Sequence, residues 1–481
     1  MDREAFSQYA NDRSRHGAPL ARGFDGAAGG SACGDLIRIS VALDDGRIAR
    51  LRFAADGCAA ARAAGAAVAE LADGEQLLDA ALIGPDQVAA AFGGIGAQGR
   101  HAVELAADAL QRALGAAAGS SISLAAAPAS GERVLVALSG GVDSAVAALV
   151  ERERGAEVVA VTLKLWSDRR TDAAKSCCSP LAVLGARELA HSLGIPHVTL
   201  DLEPRFRAAV VGGFIDGYRA GRTPNPCVIC NGELRIDAML ALADRLGAAA
   251  LATGHYARLV DDGEGPLLTA AADPAKDQTY MLSGLAPTSL ARLRFPLAEL
   301  TKPQVRELAS SAGLAVASKA ESQDLCFLAG EGKRAFLARH GGLGPRVGEI
   351  VDRAGRRLGS HRGHHEFTVG QRRGLGVGSR EPLYVLATDA ATNTVVAGGR
   401  EQLATTRVPV REATLHRPGG RVDRVRLRYH SRPLACALPG VEAGDHAELE
   451  LELGEPAYGV APGQTACLMS GDVVVGRATI A

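Results

Sequence analysis

Between residues 35 and 58 the chain reads DLIRISVALDDGRIARLRFAADGC, with apolar and polar positions alternating on both sides of an Asp-Asp-Gly turn at 44 to 46. Alternation with period two around such a turn predicts a half-buried β-hairpin. Two helical patterns follow, CAAARAAGAAVAELADG and HAVELAADALQRALGAA, so residues 1–113 predict a small α+β domain. The low-complexity stretch LGAAAGSSISLAAAPASGE then predicts a linker over 114–130. Beyond it the texture changes. RVLVALSGG, AEVVAVTLKL, IPHVTLDL and AAALATGHY are short apolar runs separated by helical stretches such as SAVAALVERERG and LAVLGARELAHSLG. Buried strands alternating with helices predict a parallel sheet covered on both faces, over 131–335. Strands dominate again towards the end (GEIVDRAGRRLG, PLYVLATDAATNTVVAGG, RVRLRYH, HAELELE), which we divide into small β-rich domains at 336–400 and 401–481.

Composition narrows the class. Apolar residues make up 47% and charged residues 22% of 481, as in soluble globular chains. No apolar run is long enough to span a bilayer, and MDREAFSQYANDRSRHG has no signal-peptide core, so the expected location is the cytoplasm. Thiols stay reduced there, and nine cysteines, an odd number, fit catalysis or metal binding better than a disulfide framework. The net charge of −1 excludes a generally basic nucleic-acid binder. A local patch exists, however. Residues 340 to 440 hold 17 Arg and no Lys against 8 acids, about +9, and the planar Arg fork suits phosphate.

The stretch VLVALSGGVDSAVAAL carries the sharpest chemistry. An apolar strand runs into Ser139, Gly140 and Gly141, then Asp143 and Ser144 open a helix. The glycines let the backbone approach an anion, and the helix N-terminus offers unpaired N–H groups. The Ser139 and Ser144 hydroxyls add donors, while Asp143 suits magnesium bridging or loop holding. No Lys follows a glycine in this stretch, so it is not a Walker loop. The stretch resembles the pyrophosphate loop of the PP-loop ATP pyrophosphatases, which release pyrophosphate and leave AMP on a substrate oxygen.

A second stretch, TPNPCVICN (223 to 231), sets Cys227 and Cys230 behind two prolines, which predicts a turn rather than a helix. Further motifs follow in order: GRTPNPCVICN, LATGHYARL, KDQTYML, FPLAELTKPQVRELA, ESQDLCFL and FTVGQRRGLGV. With SGGVDS they resemble the bacterial tRNA-specific 2-thiouridylases over roughly residues 131 to 481. The resemblance implies ATP-dependent 2-thiolation of the wobble uridine (position 34) of Lys-, Glu- and Gln-type tRNAs, with ATP and Mg2+ as cofactors. It makes Cys230 and Cys326 the catalytic cysteines, Cys326 carrying a persulfide and Cys230 closing a disulfide on it. Asp277 is placed near the reacting base, Gln278 and the Arg372–Arg373 pair on tRNA, and Gly254 and His255 on the nucleotide side. Many relatives have Asp where this chain has Cys227. Cys227, Cys230 and Cys326 thus offer three thiols, suited to a [4Fe–4S] cluster with one open iron, to persulfide chemistry without metal, or to zinc. The implied partner is a cysteine desulfurase or sulfur-relay protein, and no membrane. A PP-loop thiolase acting on another tRNA base, and a non-catalytic iron–sulfur or sulfur carrier, are the alternatives. Cys177 and Cys178 read either as a relay or as idle thiols, and Cys436 and Cys467 as core.

Near the start, SACGD, FAADGCAAARAAG and GRHAVELAADAL resemble the NifU/IscU-type iron–sulfur scaffold domains. The resemblance carries over Cys33, Asp35, Cys58 and His101 as ligand positions for Zn2+ or Fe, but the cysteine expected after His101 is Ala102. The expected fold is multidomain: an α+β NifU/IscU-like domain, an α/β PP-loop catalytic domain with a Rossmann-like parallel sheet, a small central domain and a C-terminal β-barrel.

Overall fold

The computed structural model describes residues 2–30, 34–128, 131–168, 179–320, 325–328 and 330–481. Strands β1 (Phe24–Gly29), β2 (Leu36–Asp44) and β3 (Arg47–Asp56) form an antiparallel sheet in that order. The β2–β3 turn has positive φ at both Asp45 and Gly46, the type I′ geometry that matches strand twist and that Asp-Gly tolerates. Helices Ala59–Ala72 and Arg100–Ala118 pack on this sheet. The second helix runs five residues into the stretch expected as linker. Beyond it Leu124 is fully buried, its N–H donating to the Arg245 carbonyl at 2.8 Å. Residues 114–128 are therefore largely bound to the next domain, because alanine is a strong helix former and apolar enough to pack.

The catalytic sheet is parallel: β4 (Arg133–Ala137), β5 (Glu157–Lys164), β6 (His197–Asp201) and β7 (Ala250–Thr253). After β7 the chain makes a hairpin, β8 (Arg258–Asp261) and β9 (Pro266–Thr269), then returns as β10 (Leu293–Arg294). The order β10-β7-β4-β5-β6 reverses direction beside β4, so a crevice opens at the carboxyl ends of the strands there. Helix Arg100–Ala118 of the N-terminal domain lies along edge strand β6, and Arg187 reaches Asp108 at 3.0 Å. The carbonyl of Ala118 accepts from Arg245 at 2.6 Å, at the end where the parallel strands begin. Gly115 of this helix lies directly against the Thr199 carbonyl of β6.

Strands β11 (Gly348–Val351), β12 (Arg357–His361), β13 (Tyr384–Asp389) and β14 (Thr394–Gly398) form a small sheet around Ile350, Phe367, Val385 and Val395. Six further strands follow: β15 (Ala404–Leu415), β16 (Arg424–Arg426), β17 (Leu434–Ala437), β18 (Gly444–Tyr458), β19 (Thr465–Ser470) and β20 (Val473–Ile480). They close into a barrel because β15 pairs with both β18 and β20. Strand β20 also pairs with β9, which stitches the barrel to the catalytic domain. Cys436 and Cys467 are buried, and burial pushes their thiols up to about 11 and about 12.

Candidate active site at the carboxyl ends of the parallel strands

Strand β4 delivers the glycine loop. Gly140 adopts φ +68°, which turns the chain into helix Val142–Glu153. Gly141 caps that helix without a side chain, so its first-turn N–H groups face outward unmet by the helix itself. The Ser144 hydroxyl bends back, donating to the Gly141 carbonyl at 3.0 Å and accepting from the Ser139 N–H at 3.1 Å. It lies 3.2 Å from the Ser139 hydroxyl. In this state the two serines brace the loop. Asp143 accepts from the Lys302 ammonium on both oxygens (2.7 and 2.8 Å) and from the Tyr256 hydroxyl at 2.8 Å. Lys319 donates to the Gly140 carbonyl at 2.7 Å.

The TGHY and KDQ motifs support this loop from behind. A Cβ on Gly254 would sit 2.7 Å from the Ser144 nitrogen, so only glycine lets the end of β7 meet the loop. His255 contacts the Thr253 hydroxyl at 3.0 Å. Burial, with Arg235 adding, pushes its imidazole down to about 3, so the ring is neutral at physiological pH. Gln278 and Tyr256 exchange two bonds: Gln278 N–H to the Tyr256 carbonyl (2.9 Å) and Tyr256 N–H to Gln278 Oε1 (3.0 Å). Asp277, 7% exposed, accepts from Thr279 at 2.8 Å and from Arg426 of the barrel at 3.0 Å. Placed by resemblance near the reacting base and on tRNA, Asp277 and Gln278 here also hold the domains and the TGHY turn together.

The TPNPC stretch departs from the expected turn: Pro226–Cys230 is a helix. Proline at a first helical position loses no hydrogen bond, and Asn225 caps the Val228 N–H at 3.4 Å. Pro226 thus starts the helix rather than preventing it. Cys227 is half-buried and Cys230 buried. Burial raises the Cys227 thiol, with Arg235 pulling the other way. Cys326 is half-buried and opens the turn Cys326–Leu328. The next residue, Phe327, packs on Phe206 and Phe214 at ring distances of 5.9 and 5.1 Å. Phe214 belongs to helix Gly213–Arg219, which leads into TPNPC, so both cysteine segments grow from one core.

None of the three cysteines is in a disulfide.

The barrel roofs this site. Gln464 donates to the Thr223 carbonyl at 2.7 Å, the Tyr280 hydroxyl to the Thr465 carbonyl at 2.9 Å, and Arg477 pairs with Glu233 at 2.9 Å. Burial and the nearby Asp277 and Cys227 raise the Tyr429 hydroxyl. Lys302, Lys319, Arg426 and Gln464 were not singled out by sequence reasoning. Lys302 and Arg426 sit within quoted stretches, but nothing local shows that they point at residues far away in the chain.

Arg372 and Arg373 are exposed, away from the cysteines in sequence and on the central domain. Arg372 lines a cavity of about 400 Å3 with Gly374, Leu375, Arg380 and Pro382. In the N-terminal domain Asp35, Cys58 and His101 gather, with ligand atoms all within 4.8 Å. Asp35 accepts from the Cys58 N–H at 2.8 Å and the Cys58 thiol at 3.2 Å, and meets His101 Nε2 at 2.8 Å. Burial works against its charge, yet the bonds from Cys58 and His101 hold its carboxyl below the usual range. One carboxylate, one thiol and one imidazole are a fitting donor set for a single zinc or iron. Cys33, Cys177 and Cys178 lie outside the described residues. Ala102 is fully buried.

Residues 132–330 match the family described as tRNA methyl transferase HUP domain, and 3–122 match the NifU-like N terminal domain. Residues 334–399 match the tRNA methyl transferase PRC-barrel domain and 418–480 the aminomethyltransferase beta-barrel domain. The chain is 45% identical over 467 residues to the bifunctional protein NifU/MnmA of Rubrobacter xylanophilus, covering 95% of this chain and 93% of that one. It is 44% identical over 350 residues to the tRNA-specific 2-thiouridylase MnmA of Acidithiobacillus ferrooxidans (72% and 97% covered). The same enzyme of Geobacter metallireducens is 41% identical over 354 residues (72% and 95%). Among the described residues no helix is long and apolar enough to cross a membrane. The chain belongs to the tRNA-specific 2-thiouridylase family, in the form that carries a NifU-like domain ahead of the thiolase.

Proposed function

We propose that the protein thiolates C2 of the wobble uridine of tRNA at the expense of ATP, with Cys230 and Cys326 handling the sulfur. The observation that carries this reading is that barrel residues hold both the KDQ segment, which Gln278 and Tyr256 link to Asp143 of the glycine loop, and the Thr223 carbonyl just ahead of Cys227 and Cys230. Uracil O2 is a poor leaving group, so ATP first adenylates it and pyrophosphate departs. The outer sulfur of a Cys326 persulfide then attacks C2 and AMP leaves. Cys230 attacks Cys326 Sγ, the S–S bond of the persulfide breaks, and the sulfur stays on the ring as a thiocarbonyl. The resulting Cys230–Cys326 disulfide is reset by a thiol reductant. Cys326 is the more exposed of the two and Cys230 the more buried, which suits donor-facing and resolving roles.

Cys227, Cys230 and Cys326 would also hold a [4Fe–4S] cluster, whose fourth iron would supply bound hydrosulfide in place of the persulfide. Asp143 is the carboxylate for the magnesium of ATP. In the N-terminal domain Cys33, Asp35, Cys58 and His101 are the ligands for zinc or iron. We assign His255 and Gly254 to the nucleotide side, Gln278, Arg372 and Arg373 to tRNA, and Asp277 to catalysis beside the reacting base. The sulfur source is a cysteine desulfurase or relay protein, and the setting the cytoplasm.

The test is thiolation of tRNA with pyrophosphate release and nucleoside mass spectrometry read together. Cys326→Ser should abolish 2-thiouridine and keep tRNA-dependent pyrophosphate release. Retained thiolation in that variant removes Cys326 from the chemistry, and sulfur on a base other than the wobble uridine replaces the substrate assignment.

A further inference from the structure

The stretch Arg219–Thr223 leaves helix Gly213–Arg219 and leads through Pro224 and Asn225 into the helix that bears Cys227 and Cys230. Its sequence, RAGRT, has no apolar side chain larger than alanine, so it cannot anchor itself in a core. Its polar groups need partners from elsewhere. The central domain supplies three. His364 Nε2 meets the Arg219 carbonyl at 3.3 Å, the Thr388 hydroxyl donates to the Gly221 carbonyl at 2.8 Å, and the Thr223 hydroxyl donates to that of Thr368 at 3.2 Å. Gly221 adopts φ +74°, and a Cβ there would stand 3.1 Å from the Thr388 hydroxyl, so glycine is what lets the two domains approach. Tyr218 hydrogen-bonds Thr368 as well. The barrel adds the Pro462 carbonyl, which accepts from the Thr223 N–H at 2.7 Å.

On its other side Thr368 is bound to the arginine loop. Its N–H donates to Gln371 Oε1 at 3.1 Å, and its carbonyl accepts from the Gln371 N–H at 3.0 Å. The Gln371 side-chain amide in turn donates to the Arg373 carbonyl at 2.9 Å. Three hydrogen bonds therefore join Arg373 to Thr223, which stands four residues ahead of Cys227. Thr223 and Thr368 are both half-buried, so neither hydroxyl is part of a core that the fold depends on. The glycine loop and the KDQ segment are held differently: Tyr256 and Lys302 of the catalytic domain bond Asp143, and Arg426 of the barrel bonds Asp277.

We propose that Thr368 of the central domain is a positioning residue for sulfur transfer. Through Thr223 it sets the entry to the helix bearing Cys227 and Cys230, and through Gln371 it is fixed to the loop that presents Arg372 and Arg373 to tRNA. The thiols and the bound tRNA then share one frame, and a small error in that frame moves a reacting sulfur relative to C2 of the base. Thr388 gives the same stretch a second hold at Gly221. Adenylation draws on the glycine loop and the KDQ segment and does not pass through this contact. The proposal rests on the thiolation reading above, which gives the sulfur steps to Cys230 and Cys326.

The experiment is a double-mutant cycle on the full chain with Thr368→Val and Thr223→Val, and with Thr368→Ser beside it. Cysteine persulfide is the sulfur source. Pyrophosphate release and the single-turnover rate of 2-thiouridine formation are read on the same samples, together with tRNA affinity. Thr368→Val should slow 2-thiouridine formation about tenfold and leave pyrophosphate release within about twofold of native. Its tRNA Kd should be unchanged, because the backbone bonds to Gln371 remain. Thr223→Val should show the same split and cost nothing further in the Thr368→Val background, since the two remove one bond. Thr368→Ser keeps the hydroxyl and should recover most of the rate. Equal loss in both steps, additive costs in the double variant, or native thiolation in Thr368→Val overturns the proposal. Thiolation that survives in Cys230→Ser overturns the reading of the cysteines instead.

Discussion

Whether the N-terminal domain is fastened to the thiolase can be decided at one glycine. Gly115 lies inside helix Arg100–Ala118, where alanine in its place would ordinarily stabilise by about 0.5–1 kcal/mol. A Cβ there, however, would stand 2.7 Å from the carbonyl oxygen of Thr199 on edge strand β6. That is backbone against backbone, so no rotamer relieves it, and the helix must lift from the strand. Overpacking of this kind costs about 1–3 kcal/mol, and the lift strains the 3.0 Å bond from Arg187 to Asp108 as well. The clash should win, leaving Gly115→Ala about 1–2 kcal/mol less stable than the native chain. Gly185 is the matched control. It too lies in a helix, Pro180–Ser192, but nothing lies within 4 Å of its Cβ position, so Gly185→Ala should gain about 0.5–1 kcal/mol. Denaturant unfolding of both full-length variants, with hydrogen exchange over His197–Asp201, measures the difference. If the two variants shift in the same direction and β6 protection is unchanged in Gly115→Ala, the docking described here is wrong.

Gly254→Ala should leave the fold intact while weakening ATP at least tenfold, since its Cβ would press on the Ser144 nitrogen; nucleotide titration checks this. Reversing Arg372 and Arg373 to Glu should weaken tRNA binding and flatten the log–log salt dependence by about 1–2 units, as expected for two lost phosphate contacts; an unchanged slope rejects the patch. Burial, with Arg334 adding, pushes the Lys333 ammonium down to about 8. The unfolded chain then binds the proton more tightly, so the penalty is full below pH 8 and fades as pH rises towards 10.5. Lys333→Met should therefore be on the order of 1 kcal/mol more stable at pH 7, net of the contact with the Tyr218 ring at 4.4 Å, and lose that advantage near pH 10; a pH-independent difference refutes it.

The features legible in the sequence were those with a local cause. The β2–β3 hairpin follows from alternation around Asp45-Gly46, the four long parallel strands from short apolar runs, and the glycine loop from its place between a strand and a helix. What was missed depends on distant partners or on context. Proline reads as a breaker, yet Pro226 at a helix start with Asn225 as cap does the opposite. Alanine-rich sequence reads as linker when nothing is known to pack on it, but Leu124 finds Arg245 and residues to 118 stay helical. The basic partners of Asp143 and Asp277, Lys302 and Arg426, are 159 and 149 residues away, and no spacing rule reaches across that distance.

That distance also bears on how the enzyme works as one body. Asp277 lies in the KDQ motif of the catalytic domain, but its buried carboxylate is met by Arg426 from the barrel, and Arg426 is itself largely covered, 17% exposed. Removing either partner of such a pair leaves a charge stranded away from water, at a cost of about 3–5 kcal/mol. Gln464 likewise spends its amide on the Thr223 carbonyl, directly ahead of the helix that carries Cys227 and Cys230. The KDQ segment and the segment leading into the helix that bears Cys227 and Cys230 are therefore both set by barrel residues. A thiolase domain without its barrel would keep its parallel sheet and its glycine loop, since those are local. It would lose the relative placement of Asp277 and the cysteines, so adenylation and sulfur transfer should fail unequally, with sulfur transfer the more damaged.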